Sequence, residues 1–125
     1  MPASVLLVDD EPAWLKSLSL TLKGCAGLTN ITTCQDSREV MALLDRGEIG
    51  LVLLDLTMPG LSGDKLVEIT LRNQAEDRSC AIVLHSDRPD HDLVGLVRSC
   101  GATGYIRKTS DALFFAREVG RLLAL

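Results

Sequence analysis

Four short runs in the chain are rich in Val, Ile or Leu and do not alternate strictly with polar residues: 4–8, 51–54, 81–85 and 104–107. That is the pattern of strands covered on both faces, as in a parallel sheet. A weaker fifth run at 30–34 carries Ile31 and two threonines. Between the runs the apolar spacing changes from continuous to helical. Trp14, Leu15, Leu18 and Leu22 form one stripe, and Val40, Leu43 and Leu44 a second. Leu93, Leu96, Val97 and Cys100 fall at i, i+3, i+4 and i+7, with Gly101 placed to stop that helix. A helix over 64–74 is less cleanly amphipathic. The last helix, over 111–123, is expected to bury Ala112, Phe115, Ala116, Val119, Leu122 and Leu123. Strand and helix alternate five times with short connections, which predicts an α/β, doubly wound, five-stranded parallel sheet of flavodoxin-like type.

Length and composition narrow the setting. At 125 residues the chain is sized for one domain, 1–125, and can bury a substantial core. It has 46% apolar and 24% charged residues, as a globular protein does. A net charge of −4 and 3% aromatic residues offer neither a basic footprint nor stacking surface, so direct nucleic-acid binding is not expected. No apolar run has the length of a membrane span, and the opening MPAS shows no secretory signal, so a cytoplasmic location is expected. Cys25, Cys34, Cys80 and Cys100 show no CxxC spacing and read as small buried hydrophobes in a reducing compartment. His85 and His91 lack the spacing of zinc ligands.

The acids change the picture. Asp9, Asp10 and Glu11 follow the first strand, and Asp55 follows the third. Parallel strands put all these acids at one carboxyl edge. In a sheet of order 2-1-3-4-5 the first and third strands are neighbours, flanking the switch-point crevice where ligands sit. Crowded carboxylates repel unless protonated or bound to a cation. Magnesium, which takes oxygen ligands and pairs carboxylates with phosphate, is the economical answer at Asp9, Asp10 and Asp55. The alternative is a set of solvated strand-end acids capping helices, a role Asp10 or Glu11 alone can fill. Ser86 ends the fourth strand and Lys108 the fifth, so a hydroxyl and an ammonium reach the same edge, where they suit a phosphoryl group.

VDDE at 8–11, LLDLTMPGLSG at 53–63, the hydroxyl at Ser86, GATGYIRK at 101–108, and the spacings among them resemble a response-regulator receiver domain of bacterial two-component signalling. The resemblance covers essentially the whole chain. It implies that Asp55 is the phosphoacceptor, and that Asp10, Asp55 and the Thr57 carbonyl hold magnesium, with Asp9 assisting through water. It also implies that Ser86 is the switch hydroxyl, Tyr105 the switch aromatic and Lys108 the cation that pairs with the phosphoryl group. The implied donor is a sensor histidine kinase or phosphotransfer protein, and the implied product is an acyl phosphate on a slowly self-dephosphorylating switch that is not itself an enzyme. The implied output face is the fourth helix, fifth strand and fifth helix, where an exposed Phe114 would support self-association or an output partner.

Two positions depart from that pattern. Asp87 follows the switch hydroxyl where the family has a small residue, and it is expected either to restrain the site or to turn outward. Thr109 replaces the proline that follows the lysine in a cis peptide, so a trans 108–109 bond is expected, leaving Ser110 to cap the final helix. A pseudo-receiver that signals by contact without phosphorylation is the first alternative. A haloacid dehalogenase-type phosphatase would need a second acid where Thr57 stands, and a flavin carrier would need a phosphate cradle where DDEP stands.

Overall fold

The computed structural model describes residues 4–75 and 80–123. Strands and helices alternate as β1 (Ser4–Val8), α1 (Pro12–Cys25), β2 (Asn30–Cys34), α2 (Val40–Asp45), β3 (Leu51–Asp55), α3 (Gly63–Ala75), β4 (Ala81–Ser86), α4 (Asp90–Cys100), β5 (Gly104–Arg107) and α5 (Ala112–Leu122). A single 3₁₀ turn, Ser37–Glu39, leads into α2. All neighbouring strands pair parallel, in the order β2-β1-β3-β4-β5. Both β3 and β4 run one residue further than the apolar pattern predicts, so Asp55 and Ser86 are the last residues of their strands.

The three central strands are buried at every position, which is why their sequences show no alternation. The alternation reappears when the two faces are separated. Leu6, Val8, Val52, Leu54, Ile82 and Leu84 pack toward Val40, Leu44, Leu66, Ile69 and Leu93 on one side. Val5, Leu7, Leu51, Leu53, Val83 and Ile106 pack toward Leu15, Leu18, Leu22, Phe115 and Val119 on the other. Side chains at consecutive strand positions thus enter different cores, as a pleated strand requires. The edge strand β2 is mostly exposed, in keeping with its threonines.

Local signals account for the helix ends. Pro12 opens α1, where its missing N–H would have had no partner. Asp111 caps α5, its carboxylate accepting the Phe114 N–H at 3.1 Å. This corrects the expectation for Ser110: Asp111 occupies the capping position, and the Thr109 hydroxyl in turn accepts from the Asp111 N–H at 3.0 Å. Ala112 is exposed instead of buried. It begins α5 above an open cleft of about 220 Å³ shared with Trp14, Thr21 and Phe115. Leu122 and Leu123 are partly buried against the second core, and Phe115, Ala116 and Val119 are fully buried. Cys25 is exposed, against expectation: it continues the spacing of the Leu15–Leu18–Leu22 stripe but is the last residue of α1, whereas Cys34, Cys80 and Cys100 are buried.

Gly101 closes α4 with φ at +80°, and its N–H bonds the Val97 carbonyl. A Cβ there would meet only ordinary contacts, the nearest at 3.7 Å, so the backbone angle alone selects glycine. Gly101→Ala should therefore lower the unfolding free energy by about 1–2 kcal/mol, read from urea denaturation, with the fold unchanged. An unaltered midpoint would show that the turn tolerates a side chain.

Candidate functional site

The carboxyl ends of β1, β3, β4 and β5 bring the site together. Asp9 leaves β1 with its N–H on the Cys34 carbonyl at 3.1 Å, which aims its side chain into the gap beside β3. It is 2% exposed. One carboxylate oxygen accepts the Glu11 N–H at 3.0 Å, and the other, Oδ2, accepts no hydrogen bond. Asp10 is exposed at the rim. Asp55 is 1% exposed at the end of β3. Its Oδ1 accepts the Thr57 N–H at 3.1 Å, and the Thr57 hydroxyl lies 2.9 Å from both of its oxygens. The Lys108 ammonium stands 3.1 Å from Asp55 Oδ1 and 3.8 Å from Asp9 Oδ2. Asp9, Asp10 and Asp55 each offer an oxygen within 4.8 Å of the others.

Burial and pairing act on these groups in opposite senses. Burial raises the Asp9 carboxyl above the ordinary carboxylate range, and the nearby Asp55 and Asp10 charges raise it further. Burial also raises Asp55, but the Thr57 N–H, the Lys108 ammonium and the Thr57 hydroxyl outweigh it and hold Asp55 below that range. Burial lowers Lys108, and the facing Asp55 and Asp9 charges overcome this and raise it. The site is therefore an ion pair, Asp55 with Lys108, beside a second buried acid whose remaining oxygen has no donor. A buried acceptor without a donor is costly, and an oxygen-only set of ligands is what a hard divalent cation takes. Asp9, Asp10 and Asp55 fit such an ion.

Ser86 is fully buried at the end of β4. Its hydroxyl oxygen accepts the Arg88 N–H at 3.1 Å, and its carbonyl accepts the Lys108 N–H at 2.8 Å, which fixes where the lysine leaves β5. Tyr105 is half-buried, and its hydroxyl donates to Asp90 Oδ1 at 3.2 Å. Asp87 turns outward and is exposed, although its charge still contributes to raising Lys108. Among the described residues there is no cis peptide, so the 108–109 bond is trans, as its sequence predicts.

Two site features were not anticipated from the chain. One is the Thr57 hydroxyl on both Asp55 oxygens; a hydroxyl two residues after a strand-end acid is a local turn pattern that could have signalled it. The other is His85, which pairs in register with Asp55 and so shares its face of the sheet. Its ring is 2% exposed, stacked 6.4 Å from Trp14 at 9° and tilted 40° against Phe115 at 5.7 Å. Nothing in the periodicity separates it from an ordinary strand residue.

A doubly wound parallel sheet with three carboxylates and one ammonium at its switch point defines a flavodoxin-like domain with an acidic pocket. Comparison with known proteins narrows that class. The family model for the response regulator receiver domain matches residues 5–115, and the chain belongs to that family. Among relatives, it is 31% identical over 110 residues to the nitrate/nitrite response regulator protein NarP of Escherichia coli, covering 88% of this chain and 50% of that one. It is 44% identical over 66 residues to the two-component response regulator ARR11 of Arabidopsis thaliana, covering 51% of this chain and 12% of that one. The chain thus spans about half or less of the length of these relatives. In fold it resembles the chemotaxis protein CheY4 of Vibrio cholerae, with a TM-score of 0.81 at 22% identity over 98% of this chain and 99% of that one. The signal receiver domain of NarL from Mycobacterium tuberculosis superposes with a TM-score of 0.82 at 19% identity, over 98% and 96% of the two chains. Among the described residues no helix is long and apolar enough to cross a membrane.

Burial pulls the His85 imidazole down to about 4 from 6.5, with the Lys108 charge adding to the effect and Asp55 opposing it. A histidine that is neutral when folded takes up its proton more readily when unfolded, so stability falls as pH drops from 6.5 toward 4. The wild type should lose about 3 kcal/mol more than His85→Leu between pH 7 and pH 4, by denaturant titration at each pH. Parallel profiles for the two proteins would contradict a buried neutral ring.

Proposed function

We propose that this domain is a phosphorylatable switch that accepts a phosphoryl group on Asp55 from a phosphohistidine of a sensor histidine kinase or phosphotransfer protein. The observation that carries the proposal is the buried Asp55 carboxylate, with Lys108 3.1 Å from one oxygen and the donorless Asp9 oxygen beside it. A carboxylate kept charged in a buried crevice is a poised nucleophile. An Asp55 oxygen forms the new bond to phosphorus, the phosphorus–nitrogen bond to the donor imidazole breaks, and the imidazole leaves with its electron pair. Because the phosphoryl group brings the reactivity, the protein supplies position and charge. Lys108 passes from the Asp55 oxygen to a phosphoryl oxygen, and the Ser86 hydroxyl donates a hydrogen bond to another. Magnesium held by Asp9, Asp10, Asp55 and the Thr57 carbonyl would neutralise charge on the transferring oxygens.

The domain acts as a signalling switch, and its readout is the surface of α4, β5 and α5, reached through Ser86 and Tyr105. That surface carries exposed Leu113 and Phe114 beside Arg117 and Arg121. A cleft of about 560 Å³ runs along it, bordered by Tyr105, Phe114 and Arg121. An aromatic flanked by arginines is a common interface anchor. A net charge of −4 disfavours direct contact with nucleic acid, and the proposed partner is another protein or a second copy, in the cytoplasm.

Incubation with acetyl phosphate or phosphoramidate in magnesium should add one phosphoryl mass to the wild type and none to Asp55→Asn, and EDTA should abolish the addition. A labelled Asn variant would move the acceptor elsewhere. A wild type that stays unmodified would favour a contact-only pseudo-receiver.

In beryllofluoride and magnesium the wild type should associate with itself, and Phe114→Ala should weaken that association about tenfold or more, by sedimentation. A wild type that stays monomeric with and without beryllofluoride would exclude self-association through this face.

A further inference from the structure

The segment that joins β4 to α4 is held at three points in five residues. The Arg88 N–H donates to the Ser86 hydroxyl oxygen at 3.1 Å, and the Arg88 carbonyl accepts from Arg107 Nε at 3.0 Å. Two residues further on, Asp90 accepts the Tyr105 hydroxyl at 3.2 Å. Arg107 and Tyr105 stand two apart on β5 and share a face, because the residue between them, Ile106, enters the core under α1 and α5. On the other face, Tyr105 packs against the core under α4. Arg107 also pairs in register with Ser86 itself. Arg88 is therefore gripped at both of its backbone groups, by the strand-end hydroxyl on one side and by β5 on the other.

We propose that Arg107 and Asp90 are positioning residues that hold the Ser86 hydroxyl on the Arg88 N–H, and so set how readily a phosphoryl group is accepted. The inference rests on the reading of Asp55 as phosphoacceptor. For the Ser86 oxygen to close on a phosphoryl group at Asp55, it must leave the Arg88 N–H. That N–H cannot follow it or rearrange while Arg107 holds the Arg88 carbonyl and Tyr105 ties the first turn of α4 through Asp90. The two contacts form a clasp that favours the resting arrangement. Breaking the clasp raises the fraction of molecules already arranged to bind a phosphoryl group, and apparent affinity rises in proportion. The effect has an unusual sign, since damage to a site lowers affinity and release of a clasp increases it.

Beryllofluoride in excess magnesium serves as the phosphoryl probe, and the fluorescence of Trp14, which borders Lys108, as the readout. Tyr105→Phe, which keeps the ring, and Arg107→Met, which keeps most of the stem, should each bind about threefold to tenfold tighter than the wild type, the usual reach of one hydrogen bond. All three clasp side chains are exposed or half-buried, so the thermal midpoints should not move. Asp90→Ala should match Tyr105→Phe, and the double variant should be no tighter than either single one, because both remove the same bond. A multiplicative gain in the double variant would overturn the pairing of Asp90 with Tyr105. Equal or weaker binding by Arg107→Met and Tyr105→Phe, with a responsive wild type, would overturn the clasp and leave the acceptor assignment standing. A wild type that does not respond to beryllofluoride at all would overturn the acceptor assignment and the clasp together.

Discussion

Three carboxylates and a single ammonium converge where a sheet covered on both faces runs out, and their charge balance organises the surrounding structure. Lys108 cannot satisfy all three acids. It sits at 3.1 Å from Asp55 and only 3.8 Å from Asp9, so one acid is paired and the other is left short. The neighbouring choices follow from that shortfall. The loop after β3 turns the Thr57 N–H and hydroxyl back onto Asp55, and the turn after β1 gives Asp9 one backbone donor. His85, packed beside them, remains neutral, because a further cation in that crevice would face both Lys108 and the loss of water.

Much of this was legible in the chain. The strands with no alternation, the helical stripes between them and the placement of acids after the first and third strands led to the observed strand order and to the crevice. These features are legible because short apolar runs bounded by turn residues mark strands buried on two faces, and a period near 3.6 marks helices packed on one side. What escaped notice depends on side-chain direction and not on pattern. Thr57 was expected to matter through its carbonyl; its N–H and hydroxyl, which the structure brings onto Asp55, were not foreseen. Ala112 matches the spacing of the core stripe but starts its helix over an open cleft, where there is nothing to bury it. Cys25 shows the same limit at the end of α1. His85 could not be singled out, because a histidine in a strand carries no signal of whether its ring meets water or a tryptophan.

The two departures from the family pattern are accommodated differently. Thr109 costs the fold little: its peptide is trans, and its hydroxyl joins the turn that delivers Asp111 to the head of α5. Asp87 faces solvent, so it does not crowd the crevice, and its influence is confined to a long-range attraction on Lys108. A substitution in the motif thus acts through the local turn in one case and through the field in the other.

The connectivity of the sheet also orders the assembly of the crevice in time. Asp9, Asp10 and Asp55 belong to β1, β3 and the turns after them, whereas Lys108 comes at the end of the last strand, which docks on β4 through Ser86. A chain still emerging during synthesis brings its acids together before their counter-charge exists. Until β5 arrives, the buried positions of Asp9 and Asp55 have no ammonium to pair with, so the edge strand completes the charge balance at the centre of the sheet. A divalent cation present during synthesis would balance those acids early and let the central strands settle ahead of the C-terminal third.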